Sequence, residues 1–196
     1  HLAKFNAAAT EWAATDMVVK GSASSGGKEG YLVLNHKIDL AKDDITIEAD
    51  VKFSSLSGHV GLGFIAVDGS NRKAYSLLSG QNIKNVSCSL GGGGNGLTPA
   101  VSWSAGKTYH FKAALSASTN QIVYTVTDEA GTESTNTTQI WHDVADVVYP
   151  ALGGTNAENA SYSNIKIVVK NASEDTTYTF DGLDEQDVLS ALSVNT

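Results

Sequence analysis

The dominant alternation of apolar and polar residues is the feature that most constrains how this chain can fold. In residues 45–53, apolar side chains occupy every odd position and polar or charged side chains every even one. The same period recurs in four further segments, 59–67, 108–115, 121–128 and 162–170. Because successive side chains of a strand point to opposite faces, this period predicts strands with one buried face each.

Turn residues such as Gly, Ser, Asn and Asp separate these segments, giving about ten short strands and almost no helix. This pattern predicts an all-β fold, a two-sheet antiparallel β-sandwich of jelly-roll type. We expect the sandwich to span residues 1–175, and residues 176–196 to form a C-terminal strand or short helical cap, or the start of a linker to a following module. The predicted core includes Ile47, Val51, Leu62, Phe64, Phe111, Leu115, Ile165 and Ile167.

The run Gly91–Gly94, followed by Asn95, has the appearance of a phosphate-binding loop. Such a loop needs a helix start and usually a Lys with a Ser or Thr behind it, and neither follows here. The residues before the run alternate like a strand, so we predict a loop between two strands instead.

The composition excludes several classes of partner. The net charge of −8 argues against nucleic acid and anionic membranes, whose binding depends on Lys and Arg. No run of about 18 apolar residues exists, so no membrane insertion is expected. The single cysteine, Cys88, rules out an internal disulfide and a Cys-based zinc site. The chain begins at His1 and is poor in Lys but rich in Ser, Thr, Asn and Gly, so we expect a secreted or surface-displayed monomer, covalently linked to neighbouring domains.

Three segments together resemble the concanavalin-like (laminin-G-like) jelly-roll superfamily, as found in bacterial carbohydrate-binding modules. They are 29–34 leading into 45–53, the Trp–loop–Gly–strand–hairpin unit 103–132, and the Gly-rich crossing into a closing strand, 150–169. The resemblance implies the fold more than the function, because this superfamily contains lectins, carbohydrate-binding modules, glycosidases, lyases and adhesion domains.

A catalytic function is not expected. Glu48 and Asp50 are similar to the start of the Glu-x-Asp-x-x-Glu pattern of one glucanase family of this superfamily, but position 53 is Phe rather than the third acid. Both acids lie opposite the apolar stripe, where charged residues lie by default. The motifs that polysaccharide lyases of this form share, Gln-Ile-His and Tyr-x-Lys, are absent.

Sugar binding needs only aromatic rings that stack on pyranose faces and polar groups that hydrogen-bond hydroxyls. Bare glycines at 91–94 would let a polymer approach the backbone. Trp103 could serve as the stacking platform or belong to the core, whereas Trp141 lies in a loop-like segment where exposure is expected. The candidate carbohydrate-binding residues are Arg72, Tyr75, Gln81, Asn82, Lys84, Trp103 and Trp141.

No cofactor is required by this interpretation, although a structural calcium ion, frequent in the superfamily, could be held by Asp181 and Asp184. The acids of this segment could equally form the start of a helix.

The first hypothesis is a non-catalytic carbohydrate-binding module that recognises a polysaccharide, as part of a secreted bacterial multi-domain enzyme. A structural or adhesive surface domain is the alternative, and a jelly-roll glycosidase or polysaccharide lyase is the second alternative.

Overall fold

The computed structural model describes residues 18–20, 29–33, 36–68, 71–80, 84–93, 96–156, 159–170 and 175–179. Within these ranges the chain forms strands joined by turns and loops. The strands are β1 Val18–Lys20, β2 Glu29–Val33, β3 Ile38–Asp39, β4 Asp44–Phe53, β5 Val60–Asp68, β6 Asn71–Ser79, β7 Val86–Cys88, β8 Gly91–Gly93, β9 Thr108–Ser116, β10 Gln121–Thr127, β11 Glu133–Ile140, β12 Val147–Thr155, β13 Ala160–Lys170 and β14 Asp175–Thr179. No helix among the described residues is long and apolar enough to cross a membrane.

The strands build two seven-stranded sheets, which confirms the predicted two-sheet β-sandwich. The first sheet has the order β1-β2-β12-β5-β6-β7, with β3 added against β12. The second sheet has the order β14-β13-β4-β9-β10-β11-β8. Neighbouring strands are antiparallel, except for a single parallel bridge between Lys20 of β1 and Asn71 of β6.

The main core lies between the two sheets and contains every residue predicted for it. All eight of those side chains are buried, and the alternating burial of β4 follows the alternation of its sequence. Two tyrosine hydroxyls inside the sandwich are satisfied by hydrogen bonds, as burial of a polar group requires. Tyr124 bonds Ser76 across 2.6 Å, and Tyr162 donates to the carbonyl oxygen of Gly61 across 2.6 Å.

A second apolar cluster lies on the other face of the first sheet, where alternation alone would place polar residues. It contains Tyr31, Val33, Ile65, Leu77 and Ala151, all buried. The pairing of β1 with both β2 and β6 joins the two ends of this part of the sheet, and seven consecutive residues of β5 are buried, so both of its faces are covered. Ile65, which the sequence sets on the face opposite the core stripe, is therefore buried as well.

The C-terminal strand crosses the boundary expected at residue 175. Residues 175–179 form β14, which pairs with β13 at the edge of the second sheet. The start of the expected C-terminal segment is thus a strand of the sandwich. The rest of that segment lies outside the described residues.

Candidate functional site

The glycine run does not form the loop that the sequence predicts. Gly91–Gly93 form β8, an edge strand of the second sheet that pairs with β11. A Cβ on Gly91 would lie 1.9 Å from the backbone oxygen of Gln139, so a side chain there cannot be accommodated without moving backbone. A Cβ on Gly92 would lie 2.9 Å from the ring of Trp141. The absence of side chains at Gly91 and Gly92 therefore allows β8 to lie close to the backbone of Gln139 and the ring of Trp141.

Trp141 lies at this edge with its ring beside Gly92. Its backbone N–H donates to the carbonyl oxygen of Leu90 across 2.9 Å, which fixes the start of the Trp141 loop against the chain entering β8. The side chain is 51% exposed. The structure thus presents a large aromatic ring, supported by glycine backbone, to solvent.

Trp103 lies in the core, which resolves the alternative that the sequence left open. It is only 8% exposed, and its ring contacts Tyr109, Phe111 and Phe53 at centroid distances of 4.7, 5.9 and 6.1 Å. A ring enclosed by three others has no free face for a sugar, so a platform at Trp103 is wrong. The residues before it also form no strand: the segment 97–103 makes only an isolated bridge, between Thr98 and Thr135.

The polar candidates on the first sheet divide into those that the structure describes and those that it does not. Arg72 lies with its guanidinium 4.3 Å from the centre of the Tyr75 ring, a cation–π contact. Tyr75 is half-buried against the second apolar cluster, and Lys84 is half-buried before β7. Gln81 and Asn82 lie outside the described residues.

Backbone hydrogen bonds bring Tyr75 and Trp141 to the same edge of the sandwich. The carbonyl oxygen of Tyr75 accepts from the N–H groups of Ser89 and Leu90, across 2.7 and 3.1 Å, while the carbonyl of Leu90 accepts from Trp141. The chain passes here from β7 at the edge of the first sheet to β8 at the edge of the second. Of the candidates, Tyr75 and Trp141 are thus linked through the backbone of Leu90, and Trp141 is the more exposed of the two.

Asp181 and Asp184, the candidate calcium ligands, lie outside the described residues, so this site stays a prediction. In the part of the chain that the structure describes, no group of three or more His, Cys, Asp or Glu side chains could hold a metal ion.

The acidic pair on β4 forms a cluster that the sequence did not indicate. His110 of β9 lies opposite Asp50, and its Nδ1 bonds Asp50 Oδ1 across 2.8 Å while its Nε2 bonds Glu48 Oε2 across 3.0 Å. Asn164, at a register shift in β13 and with a φ of 52°, donates from Nδ2 to Asp50 Oδ2 across 2.7 Å. His110 faces outward, as its alternation predicts. Only the register of three strands, which a sequence does not display, brings these groups together.

Position 53, where a glucanase pattern would have its third acid, is a core position in this structure. Burial alternates without interruption along β4, so Phe53 points into the core and the outward position beside it is Lys52. Glu48 and Asp50 are both held by one imidazole between them. The geometry favours a structural ion cluster on an open sheet face.

The pKa of His110 follows from this arrangement. Burial lowers the pKa of His110, but the hydrogen bonds and negative charges of Asp50 and Glu48 raise it by more, so the pKa lies above the ordinary value of a histidine. Only the imidazolium can donate to both carboxylates at once, because a neutral imidazole has one N–H. The cations Lys112 and Lys166, which lie opposite Glu48 on the neighbouring strands, complete the set of charges around the cluster.

We expect the cluster to make stability depend on pH. Because the pKa of His110 is higher in the folded state than in the unfolded chain, protonation of His110 stabilises the fold. This stabilisation is complete at a pH below the pKa of the unfolded chain, and it is lost as the pH rises through the pKa of the folded state. Melting temperatures of the wild type and His110→Gln, measured from about pH 5.5 to about pH 9, should differ most at the acid end and converge at the alkaline end. A difference that grows with pH would contradict the assignment.

No protein-family model matches the sequence, and no curated protein matches it either. Solved structures do resemble it. Lectin I-B4 from Griffonia simplicifolia, in its metal-free form, is 9% identical with a TM-score of 0.49, covering 78% of this chain and 87% of its own. The seed lectin of Lotus tetragonolobus is 9% identical with a TM-score of 0.49, covering 76% of this chain and 84% of its own.

The enzymatically active domain of tailspike protein 2 from bacteriophage CBA120 is 12% identical with a TM-score of 0.43, covering 89% of this chain and 28% of its own. At such identities and scores these likenesses carry no argument about a ligand or a reaction. The chain's own strand pairing shows a two-sheet antiparallel β-sandwich.

Proposed function

We propose that this chain is a non-catalytic carbohydrate-binding domain that holds a polysaccharide against Trp141. The observation that carries the proposal is the exposure of this ring on a glycine edge strand. Among the described residues, the exposed large hydrophobic side chains are Val123, Trp141 and Val147, and Trp141 is the aromatic one of the three. Indole rings stack on the apolar face of a pyranose, and a fixed ring loses little entropy on binding.

The proposal also includes the polar candidates of β6 and of the segment that follows it in the sequence. Arg72 and Tyr75 can hydrogen-bond hydroxyl groups, and Gln81, Asn82 and Lys84 follow them in the sequence. A site on an open edge desolvates few side chains, so the dissociation constant should be on the order of 10 μM to 1 mM. In keeping with such a role, we propose a secreted monomer attached to the other domains of a bacterial polysaccharide-degrading enzyme.

Retention on insoluble polysaccharides tests the proposal. Wild-type protein should be retained on at least one of a panel of glucans, xylans and mannans. The retention of Trp141→Ala should be at least about tenfold weaker, as expected for the loss of about 1.4 kcal/mol of stacking free energy. The melting temperature should change little, because more than half of this side chain is already in water. Val147→Ala, which also removes an exposed apolar side chain, is the matched control and should be retained like the wild type.

The same incubations test the expectation that the chain is not an enzyme. They should release no reducing ends and no unsaturated product from glucans, xylans, mannans or pectin. Turnover that disappears in Glu48→Gln would favour the glycosidase alternative and place catalysis at the His110 cluster.

A structural or adhesive surface domain is the second candidate function. It is favoured by the outer face of the second sheet, where β10 and β11 present Thr125, Thr127, Thr135 and Thr137 and no Phe, Tyr or Trp of these two strands lies. Failure of the wild type to bind any polysaccharide of the panel would select this alternative.

A further inference from the structure

The edge strand that supports Trp141 continues into a row of outward-facing side chains across the second sheet. Gly92 lies opposite Gln139 of β11, Gln139 opposite Gln121 of β10, and Gln121 opposite Ser116 of β9. These positions all belong to the face that points away from the core. The ring beside Gly92 and the polar row therefore lie in one line, perpendicular to the strands.

A second row runs beside the first and offers apolar surface. Thr137 lies opposite Val123, Val123 opposite Ala114, and Ala114 opposite Thr46 of β4. Val123 is 41% exposed, although it lies in the middle of the sheet. Methyl groups and amides thus alternate on this half of the face, a mixture that suits the C–H groups and hydroxyls of a sugar ring.

Charge divides the outer face into two halves. From β9 to β11 the two rows nearest Trp141 carry no charged side chain. The charged groups of the same strands, Lys112, His110 and Glu133, lie in the rows further from Trp141, beside Glu48 and Asp50. The uncharged half adjoins the exposed indole.

We propose that a neutral polysaccharide chain extends from Trp141 across this uncharged half of the second sheet, perpendicular to the strands. The proposal rests on the proposed function and specifies the ligand and its path. Adjacent strands lie about 4.7–4.9 Å apart, so the path from β8 to β9 spans about 14 Å, long enough for two or three sugar rings. Gln121 and Gln139 supply amide donors and acceptors to the hydroxyls.

The amide of Gln139 is oriented before any ligand arrives. Its Nε2 donates to the backbone carbonyl of Asn120 across 2.9 Å, which holds the side chain beside the path. An acidic polymer would find no Lys or Arg on the two rows between β9 and β11 to neutralise its carboxylates. This absence of cations is the reason for assigning a neutral ligand.

Two exposed valines on different sheets allow a matched test. Val123→Arg places a long charged side chain on the proposed path, whereas Val147→Arg does the same on β12 of the first sheet, at a similar exposure of 38%. On the neutral polysaccharide that retains the wild type, the retention of Val123→Arg should be at least about tenfold weaker than that of the wild type. The retention of Val147→Arg should equal that of the wild type. Gln121→Ala introduces no bulk or charge and should weaken retention several-fold. It therefore tests the same path even if the Val123→Arg variant misfolds.

The outcomes separate this proposal from the proposed function. If Trp141→Ala loses retention while Val123→Arg and Gln121→Ala keep it, the ligand does not cross the sheet and only the path is wrong. If the wild type is retained on no polysaccharide, the proposed function fails and the path with it. Stronger retention on polygalacturonate than on the neutral polymers would overturn the ligand class.

Discussion

Replacing Phe111 with Ala should lower the free energy of unfolding by about 3–5 kcal/mol. Phe111 is fully buried in β9 and faces the first sheet. Its ring packs at 5.8 Å from the ring of Phe53 and 5.9 Å from that of Trp103, measured between centroids. Both neighbours are themselves buried, so removal of the ring leaves a cavity that they can fill only in part. Denaturant unfolding followed by far-UV circular dichroism measures the loss.

Val123→Ala is the control for this experiment, because it also shortens an apolar side chain on the second sheet but on the exposed face. It should change the free energy of unfolding by no more than about 0.5 kcal/mol. A Phe111→Ala cost below about 1 kcal/mol would mean that the ring does not lie between the sheets.

Replacing Trp103 with Ala should cost a similar amount, about 3–5 kcal/mol. The indole is enclosed by Phe53, Tyr109 and Phe111. The variant also distinguishes the two roles considered for Trp103, a core residue and a stacking platform. At a temperature where the variant remains folded, it should still be retained on the polysaccharide that binds the wild type. An unchanged melting temperature together with lost retention would be the result expected of a stacking platform, and would contradict the burial of Trp103.

The sandwich core could be predicted from the sequence because burial on one sheet face imposes a period of two. Every buried position of β4, from Ile45 to Phe53, is visible in its alternation. Ile65 shows where this reasoning ends. It is buried with Tyr31, Leu77 and Ala151 of β2, β6 and β12, contacts between distant segments that leave no local pattern in β5.

The candidate site could be predicted only in part, for a related reason. A loop-like context correctly indicated that Trp141 is exposed, but the same local view could not decide between core and platform for Trp103. The strand-like alternation before the glycine run predicts a loop there, whereas the run forms β8, in which the close approach of Gln139 and Trp141 requires glycine. The role of His110 depends on strand register, which tertiary structure alone determines.

The central claim, that Trp141 holds the sugar, is tested most directly by the indole N–H signals in a ¹H–¹⁵N correlation spectrum. The chain has three tryptophans, so three such signals are expected, and Trp141→Ala assigns one of them. Titration with soluble oligosaccharides of the retained polysaccharide should shift the Trp141 signal progressively and leave that of Trp103 in place. A saturable shift of Trp103 with Trp141 unmoved, or retention with neither signal affected, would contradict the account.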